Sequence, residues 1–227
     1  MRIAEIFYSV QGEGSLVGVP SIFVRTSGCN LRCSWCDTPY TSWKPEGDDL
    51  SIGEILDRAG SLNAFNTARH VVLTGGEPMI APAIGELSQR FRERGMHITV
   101  ETAGTVFTPV ACDLMSISPK LSNSTPDGQF RAQHEKLRQQ PDVLRRLMAE
   151  YDYQLKFVIA REEDIGEVCT LVSQLDAPAA KVILMPEGIS AEILRERGLW
   201  LAEICKRHGF RFSPRLHVDL YGNRRGV

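Results

Sequence analysis

The segment SIFVRTSGCNLRCSWCDTPYT, residues 21–41, joins a β-strand pattern to a loop that holds three cysteines. Residues 21–26 combine β-branched and aromatic side chains, which is typical of a strand buried in a sheet. Cys29, Cys33 and Cys36 follow with the spacing C-x3-C-x2-C, and no histidine lies near them. Three thiols in one short loop are one ligand short of a closed tetrahedral metal site. The segment therefore predicts a strand that leads into a metal-binding loop without a fourth protein ligand.

Similar runs recur along the chain, and helical patterns separate several of them. The runs that predict strands are SIFVRT (21–26), HVVLTG (70–75), HITVET (97–102), DLMSIS (113–118), LKFVIA (155–160) and KVILMP (181–186). Helical patterns occur at roughly 51–60, 80–95, 162–175 and 190–208. Strands that alternate with helices predict right-handed crossovers and a parallel α/β sheet.

The chain is too short for a complete eight-unit barrel. Eight strand–helix units need about 250 residues, whereas this chain has 227. The strand runs at 97–102 and 113–118 are also too close together for a full helix between them. We therefore expect an α/β fold with a partial, TIM-like barrel of about six parallel strands and flanking helices. We expect one domain over residues 1–227, with the cysteine loop at 27–41.

Residues 121–150, LSNSTPDGQFRAQHEKLRQQPDVLRRLMAE, are polar and arginine-rich, with a helical pattern after Pro141. We interpret them as one helical segment inserted between two strands of the barrel. The segment forms either a solvated surface insert or a lid or partner surface. Its polar composition favours the solvated surface insert.

The composition argues against several classes of protein. A formal net charge of −2 gives no large one-signed field, so we expect neither nucleic acid nor a membrane as a partner. The N-terminal sequence MRIAEIFYSVQGEG has the pattern of neither a signal peptide nor a membrane span, and we expect a cytoplasmic protein. The six cysteines favour metal or redox use of the clustered three over a disulfide framework.

Small or polar residues follow several predicted strands, at the edge where parallel α/β sheets bind ligands. These segments are the cysteine loop, TGGEP (74–78), ETAG (101–104), SPK (118–120) and MPEG (185–188). Each segment alone is a weak signal, since Gly75 and Gly76 are equally typical of a strand-to-helix turn. Together, on one rim of the sheet, they predict a binding site.

The other three cysteines are poor candidates for a fourth ligand. Cys169 and Cys205 lie on apolar helix faces, which is typical of buried core thiols. Cys112 precedes a strand and carries no spacing signal. A structural zinc site needs four protein ligands, and the nearest histidine, His70, opens a later strand. Three cysteines and an open position for a small molecule remain as the interpretation.

The cysteine spacing, with Trp35 before the last cysteine, resembles the signature of the radical S-adenosylmethionine superfamily. TGGEP resembles the GGE-type motif of that superfamily, which contacts the methionine amino group. The resemblance implies that Cys29, Cys33 and Cys36 hold a [4Fe-4S] cluster whose fourth iron binds S-adenosylmethionine. It also implies electron transfer that cleaves the sulfonium and releases a 5′-deoxyadenosyl radical. The missing ligand is then the cosubstrate.

The rest of the chain is similar to the 7-carboxy-7-deazaguanine synthase family over most of 1–120 and 153–227. The similar segments are EIFYSVQGEG (5–14), Arg25 with SGCNLRC, CDTPYT, TGGEP, ETAG, SPK, LKFVI and the terminal LHVDLYGNRRGV. The resemblance implies a lyase that converts 6-carboxy-5,6,7,8-tetrahydropterin into 7-carboxy-7-deazaguanine with loss of ammonia, in queuosine and 7-deazapurine biosynthesis. It also implies Mg²⁺, a homodimer, and an external electron donor of the flavodoxin or ferredoxin type.

The resemblance further implies roles for individual positions. For S-adenosylmethionine these are Trp35, Cys36, Asp37, Gly76, Glu101, Ser118, Pro119 and Lys120. For the pterin they are Val10, Gln11, Gly12, Glu13, Arg25 and Thr74, and Thr38 is the ligand for Mg²⁺. No side chain is assigned as catalytic, because the radical chemistry belongs to the cofactors.

Two other functions remain open. A glycyl-radical-enzyme activase has the same cluster and a protein substrate, although QGEG (11–14) and Arg25 argue against it. A non-catalytic iron–sulfur or zinc protein would use the cysteines for structure alone. Two of the assigned residues also have purely structural interpretations. Thr38 is equally typical of a turn with Pro39. Arg25 is equally typical of a salt bridge at the end of a strand.

Overall fold

A largely parallel sheet runs through this computed structural model, which describes residues 1–63 and 67–227. Its nine strands are β1 (Arg2–Val10), β2 (Pro20–Thr26), β3 (Asp48–Asp49), β4 (His70–Gly75), β5 (His97–Thr102), β6 (Leu114–Ile117), β7 (Tyr153–Ile159), β8 (Val182–Pro186) and β9 (Arg211–Phe212). The α-helices of the described residues are α1 (Pro39–Ser42), α2 (Ile52–Leu62), α3 (Ile84–Arg92), α4 (Arg131–Leu137), α5 (Pro141–Glu150), α6 (Asp164–Gln174), α7 (Ala191–His208) and α8 (Leu216–Tyr221).

The strand order in the sheet is β3-β1-β2-β4-β5-β6-β7-β8-β9. From β2 to β9 every neighbouring pair is parallel. β1 pairs antiparallel with both β2 and β3. The six predicted strands are confirmed as β2 and β4 to β8, and the short β9 extends the parallel set. The antiparallel β1 was not among the predicted strands.

The sheet curls. Segments that follow strands near its two opposite edges contact each other. Leu216 N, beyond β9, donates to Gly12 O, beyond β1, at 2.9 Å. Gly14 N donates to Ser213 Oγ at 2.8 Å. These bonds bring the two ends of the sheet together without pairing their strands. The result is the predicted partial barrel, with a concave inner face and an outer face packed against helices.

The predicted helices are confirmed as α2, α3, α6 and α7, with one difference. The pattern at 80–95 is divided into a single 3₁₀ turn at Pro78–Ile80 and α3. Ala83 separates them in the left-handed region, with φ 62°. In α7, Leu194 and Leu201 are buried as the pattern predicted, whereas Ile193 is 39% exposed. No helix among the described residues has both the length and the apolar surface that a membrane span requires.

Residues 121–150 divide into two structural parts. α5 lies between the parallel neighbours β6 and β7, with Leu144 and Leu147 fully buried in the main core. It is the crossover helix that two parallel strands require. The preceding part consists of two 3₁₀ turns and α4. Only this first part is an addition to the barrel.

Three cysteines lie outside the loop. Cys205 is buried, as predicted, whereas Cys169 is only partly buried and packs, like Cys112, against the main hydrophobic core. All three are free thiols. They therefore pack in or against the core of the barrel.

The ends of β4 and β5 are joined by the buried carboxylate of Glu77. Its Oε1 accepts hydrogen bonds from Thr102 Oγ1 at 2.7 Å and from Met79 N at 3.0 Å. Its Oε2 accepts from Ala103 N at 2.8 Å. The side chain has no exposed surface, and burial raises its pKa. Glu77 thus holds the TGGEP turn against the end of the next strand.

We expect Glu77→Gln to lower the free energy of unfolding by about 1–3 kcal/mol. The glutamine amide can present one accepting oxygen, so at least one buried N–H or O–H donor faces an NH₂ group. Chemical unfolding of the metal-free protein measures the change. Glu86→Gln, at an exposed position of α3, is the matched control and should stay within about 0.5 kcal/mol of wild type. Equal stabilities for the two variants would contradict the role given to Glu77.

Candidate active site

A cavity of about 690 Å³ lies on the concave face of the sheet, where the parallel strands end. Small-molecule sites typically occupy roughly 300–1,000 Å³. The predicted site residues that line it are Val10, Gln11, Gly12, Glu13, Arg25, Cys29, Cys33, Trp35, Cys36, Asp37, Thr38, Thr74, Gly76, Glu101, Ser118 and Lys120. Among the predicted residues, Pro119 is the exception. The segments identified on separate strand ends therefore meet at one site.

The three loop cysteines face this cavity as free thiols. Burial raises the pKa of Cys29 to about 12 and that of Cys33 to about 11. Buried thiols of this kind lose their protons when a cationic metal centre binds them. Within residues 1–63 and 67–227, no three histidine, cysteine, aspartate or glutamate side chains are arranged to hold a single metal ion. A four-iron cluster places each thiolate on a different iron, so its ligands need not converge on one point.

The turn after β4 packs directly against the start of the cysteine loop. Glu77 N donates to Gly28 O at 2.9 Å. A Cβ on Gly76 would lie 2.2 Å from Gly28 O and 2.8 Å from Cys29 Cβ, so this approach requires glycine. Gly75 and Gly76 line the cavity, whereas the Glu77 side chain points to the end of β5. The TGGEP motif thus presents its glycine backbone to the cavity.

Four charged side chains, two of them buried, form a network at the cavity. The Glu13 carboxylate accepts hydrogen bonds from Lys156 Nζ and from Arg215 Nε, the latter at 3.0 Å. Arg215 also donates to Asp37 through Nη2, and to Gly188 O at 2.6 Å through Nη1. Lys156 is 5% exposed and Arg215 7%. Burial opposes the charge on Glu13, but Lys156 and Arg215 outweigh it and hold the pKa of Glu13 well below its usual range.

Glu101 connects two of the predicted pterin contacts. Gln11 Nε2 donates to Glu101 Oε1 at 3.1 Å, and Thr74 Oγ1 donates to Glu101 Oε2 at 2.9 Å. Gln11 and Thr74 are both buried. The three side chains come from the loop after β1 and from the ends of β4 and β5. They form one hydrogen-bonded set, so a ligand that binds one of them meets all three.

Arg25 is held in place by Glu5, which the C-terminal tail also binds. Arg25 Nε donates to Glu5 Oε2 at 3.1 Å, and its guanidinium lies 5.6 Å from the centre of the Phe7 ring. Arg225 Nε donates to Glu5 Oε1 at 2.8 Å. Residues 223–227 line the cavity. The pair Arg25–Glu5 is therefore part of the cavity wall, as well as a salt bridge at a strand end.

The Thr38 side chain is not used to cap the helix that follows it. α1 begins at Pro39, and the Thr38 side chain makes no hydrogen bond to the helix backbone. Its Oγ1 lies 3.4 Å from Thr41 Oγ1 and 3.8 Å from Cys36 Sγ. The turn is instead closed by Thr41 N and Thr41 Oγ1, which both donate to Thr38 O at 2.9 Å. The hydroxyl of Thr38 is thus placed at the cavity beside the cysteine loop.

The cavity is also lined by ionisable side chains that were not predicted as site residues, among them Lys156, Arg215 and His217. Lys156 interrupts the apolar run LKFVIA, and that charge within a buried strand was the available signal. His217 lies against Gly12, where a Cβ would be 2.0 Å from His217 Nδ1, and burial lowers the pKa of His217. Arg215 and His217 reach the site through contacts between distant parts of the chain, which no local pattern reports.

Comparison with known proteins identifies the family. The Radical SAM superfamily profile matches residues 23–120. The 7-carboxy-7-deazaguanine synthase of Rhodopirellula baltica is 44% identical over 100% of this chain and 89% of its own length. That of Halobacterium salinarum is 41% identical over 98% of this chain and 91% of its own length. The crystal structure of QueE from Escherichia coli matches with a TM-score of 0.70 and 27% identity, covering 95% of this chain and 94% of that one. Since these relatives span nearly the whole chain, the protein belongs to the 7-carboxy-7-deazaguanine synthase family of radical S-adenosylmethionine enzymes.

Proposed function

We propose that this protein converts 6-carboxy-5,6,7,8-tetrahydropterin into 7-carboxy-7-deazaguanine with release of ammonia, in queuosine and 7-deazapurine biosynthesis. One observation carries the proposal at the level of the site. The residues assigned by resemblance to the cluster, the cosubstrate and the pterin all line the same cavity, with Pro119 as the exception. The relatives that match the whole chain bear the name of this activity.

Cys29, Cys33 and Cys36 are the residues that would hold the [4Fe-4S] cluster. When bound, the cluster and S-adenosylmethionine supply the radical that removes a hydrogen atom from pterin C6. Asp37 and Gly76 adjoin these thiols in the cavity wall and fit the cosubstrate. The protein contributes position, because the reacting atoms must be held close together and in line.

A second set of cavity residues suits the pterin. The rings of Phe7 and Phe23 are stacked, with centroids 4.9 Å apart, and line the cavity beside Arg25. A planar guanidinium can bind the substrate carboxylate through two hydrogen bonds. Glu101, with Gln11 and Thr74, offers a polar set for the ring edge. Arg25 would thereby fix the substrate carboxylate while the aromatic surface supports the bicyclic ring.

We also propose that Mg²⁺ binds at Thr38, completed by substrate and water oxygens. Mg²⁺ prefers oxygen ligands and commonly takes few of them from the protein. The position of the Thr38 hydroxyl, not bonded to the α1 backbone, supports this role. From the family we further propose a single domain over residues 1–227, a homodimer, and a flavodoxin- or ferredoxin-type electron donor.

Anaerobic turnover tests the function. The reconstituted protein is incubated with S-adenosylmethionine, dithionite, Mg²⁺ and carboxytetrahydropterin, and the products are separated by chromatography. We expect 7-carboxy-7-deazaguanine and ammonia from wild type, and neither of them from Cys33→Ala. Cleavage of S-adenosylmethionine without the deazaguanine would favour a glycyl-radical-enzyme activase. No cleavage at all would favour a structural iron–sulfur or zinc protein.

The three-cysteine assignment predicts which thiols hold iron. Alanine at Cys29, Cys33 or Cys36 should abolish the cluster, because each removes one ligand from an already incomplete set. Alanine at Cys112, Cys169 or Cys205 should leave it in place, because these thiols pack in or against the main core. Iron content and visible absorbance after reconstitution measure the difference. An empty site in Cys112→Ala would show that the three-ligand assignment is wrong.

Arg25→Ala should weaken pterin binding while cluster content and uncoupled S-adenosylmethionine cleavage stay near wild type. Loss of a buried charge-assisted contact costs about 1.5–3 kcal/mol, which predicts a roughly ten- to hundred-fold rise in apparent KM. Steady-state kinetics measure it. Arg2→Ala, at an exposed position of the same sheet edge, is the control and should leave KM unchanged. An unchanged KM in Arg25→Ala would remove this residue from the substrate site.

Substitutions at Thr38 distinguish two roles for this residue, a ligand for Mg²⁺ or a residue that only forms the turn before α1. If the hydroxyl binds Mg²⁺, Thr38→Ala keeps the fold and the cluster but loses turnover and responds weakly to added Mg²⁺. Thr38→Ser keeps the hydroxyl and should retain much of the response. Turnover rates across a Mg²⁺ titration compare the three proteins. Undiminished Mg²⁺ stimulation in Thr38→Ala would end the proposal for this residue.

A further inference from the structure

The outer side of the cysteine loop is covered by residues 122–138, which we call the cover segment. Three loop residues bond to it through backbone or ring N–H groups. Trp35 Nε1 donates to Asn123 O at 3.0 Å, and Ser34 N donates to Ser124 O at 2.9 Å. The third, Arg32 N, donates to His134 Nδ1 at 3.2 Å. The cover segment is therefore bonded to the stretch of loop that carries Cys33.

The hydrogen bonds of His134 determine which ring nitrogen carries the proton. A backbone N–H can only donate, so Nδ1, which faces Arg32 N, must be the acceptor. The proton is therefore on Nε2, which lies 2.9 Å from Ser124 Oγ and donates to it. Ser124 Oγ in turn donates to Leu121 O at 2.6 Å. Each of these three hydrogen bonds has one possible donor, and the neutral imidazole with its proton on Nε2 satisfies all three bonds.

His134 and its partners are shielded from solvent. His134 is 1% exposed, and Ser124 and Leu121 are equally buried. Phe130 of the cover segment packs over the Arg32 guanidinium at 5.4 Å and against the edge of Trp43 at 5.6 Å. A buried N–H group that loses its acceptor pays the full cost of desolvation. Because His134 is shielded from water, loss of its bond with Arg32 N would destabilise the loop.

The cover segment also narrows the approach to the thiols from outside the barrel. A second, small cavity of about 50 Å³ reaches Cys29 and is lined by Phe130, Gln133 and His134. Leu137 packs against the cluster of buried apolar side chains formed by Leu31, Cys33 and Ala103. His134 does not line the main cavity. It thus contacts the cysteine loop from outside that cavity.

We propose that His134 is a positioning residue for the metal centre. By accepting from Arg32 N, it fixes the backbone between Cys29 and Cys33, so that both thiols stay directed into the main cavity. Ser124 fixes the tautomer that makes this possible. The cover segment, beyond its place as a surface addition to the barrel, is then the outer support of the cysteine loop.

Two substitutions of His134 distinguish the effect of its hydrogen bond with Arg32 N from the effect of its other contacts. Asparagine Oδ1 is the same number of bonds from Cα as histidine Nδ1, so His134→Asn keeps an acceptor for Arg32 N. Glutamine Nε2 corresponds to histidine Nε2, so His134→Gln keeps the donor to Ser124 and removes the acceptor. A general loss of packing would affect both variants, whereas loss of the Arg32 bond affects the glutamine variant alone.

The first measurement uses the metal-free protein, and its outcome does not depend on the proposed function. Amide hydrogen exchange at Arg32 should be about tenfold faster in His134→Gln than in wild type, as expected for one lost buried hydrogen bond. Alkylation of Cys33 by iodoacetamide should accelerate with it. His134→Asn should match wild type in both. Exchange at Arg32 as slow in His134→Gln as in wild type, or equally fast in the two variants, would overturn the proposal.

If His134→Gln does not fold, Ser124→Ala provides the test. It leaves the Arg32 contact itself untouched and removes the acceptor for Nε2–H, so a buried N–H group loses its partner and the ring is held less firmly against Arg32 N. Exchange at Arg32 should then rise several-fold, as expected for a weakened hydrogen bond. Unchanged exchange in Ser124→Ala would show that the bond to Ser124 does not hold the ring against the loop.

The second measurement follows iron. This part rests on the cluster that the proposed function requires. In reconstituted protein, release of iron to a chelator under air should be several-fold faster in His134→Gln than in wild type or His134→Asn, with similar unfolding temperatures for all three metal-free proteins. A wild-type protein that binds no iron would count against the proposed function, while Arg32 exchange would still decide the role of His134. Equal iron release from all three would overturn the positioning of the metal centre.

Discussion

A single carboxylate, that of Glu13, holds together parts of the fold that are far apart in the chain. It follows β1 and bonds Lys156 of β7 and Arg215, which precedes α8. Its partners Lys156 and Arg215 are buried, so removing the carboxylate would leave buried charges uncompensated, at a cost of about 3–5 kcal/mol. Yet apolar replacement of a whole buried ion network is often neutral or stabilising. Net stability therefore does not by itself explain these charges, all of which line the cavity that we propose as the substrate site.

The parallel part of the fold was predictable from sequence because its strands are buried on both faces. A strand such as β4 then consists of consecutive apolar, β-branched residues, and its pattern does not depend on the neighbours. β1 differs, since only Ile3 and Phe7 are buried among its nine residues. Its EIFYSV segment carried a family resemblance but no clear strand period. The two-residue strands β3 and β9 have too little sequence for any pattern, and pairing with their neighbours defines them.

The part of the site that lies at the carboxyl ends of the parallel strands was predictable from sequence. Ligands bind at the carboxyl edge of a parallel sheet, and this rule alone assigns the cysteine loop, TGGEP, ETAG and SPK to one rim. Lys156 was missed because it lies within a strand, on the concave face that only the curl of the sheet creates. Arg215 was missed because its partners, Glu13 and Asp37, lie at the other end of the chain. Curvature and closure are tertiary properties, and a strand-by-strand interpretation of sequence does not contain them.

The C-terminal tail, residues 223–227, forms part of the cavity wall at the open side of the barrel. Arg225 bonds Glu5 of β1 and Glu46 before β3, and its guanidinium lies 3.7 Å from the centre of the Tyr40 ring in α1. These contacts hold residues 223–227 along the cavity, beside the Glu5 that also orients Arg25. A reactive intermediate needs a site from which water is excluded, and a sheet with two free edges does not provide one. The tail supplies the missing wall at the position where the substrate carboxylate is proposed to bind, so closure of the cavity and orientation of Arg25 depend on the same carboxylate.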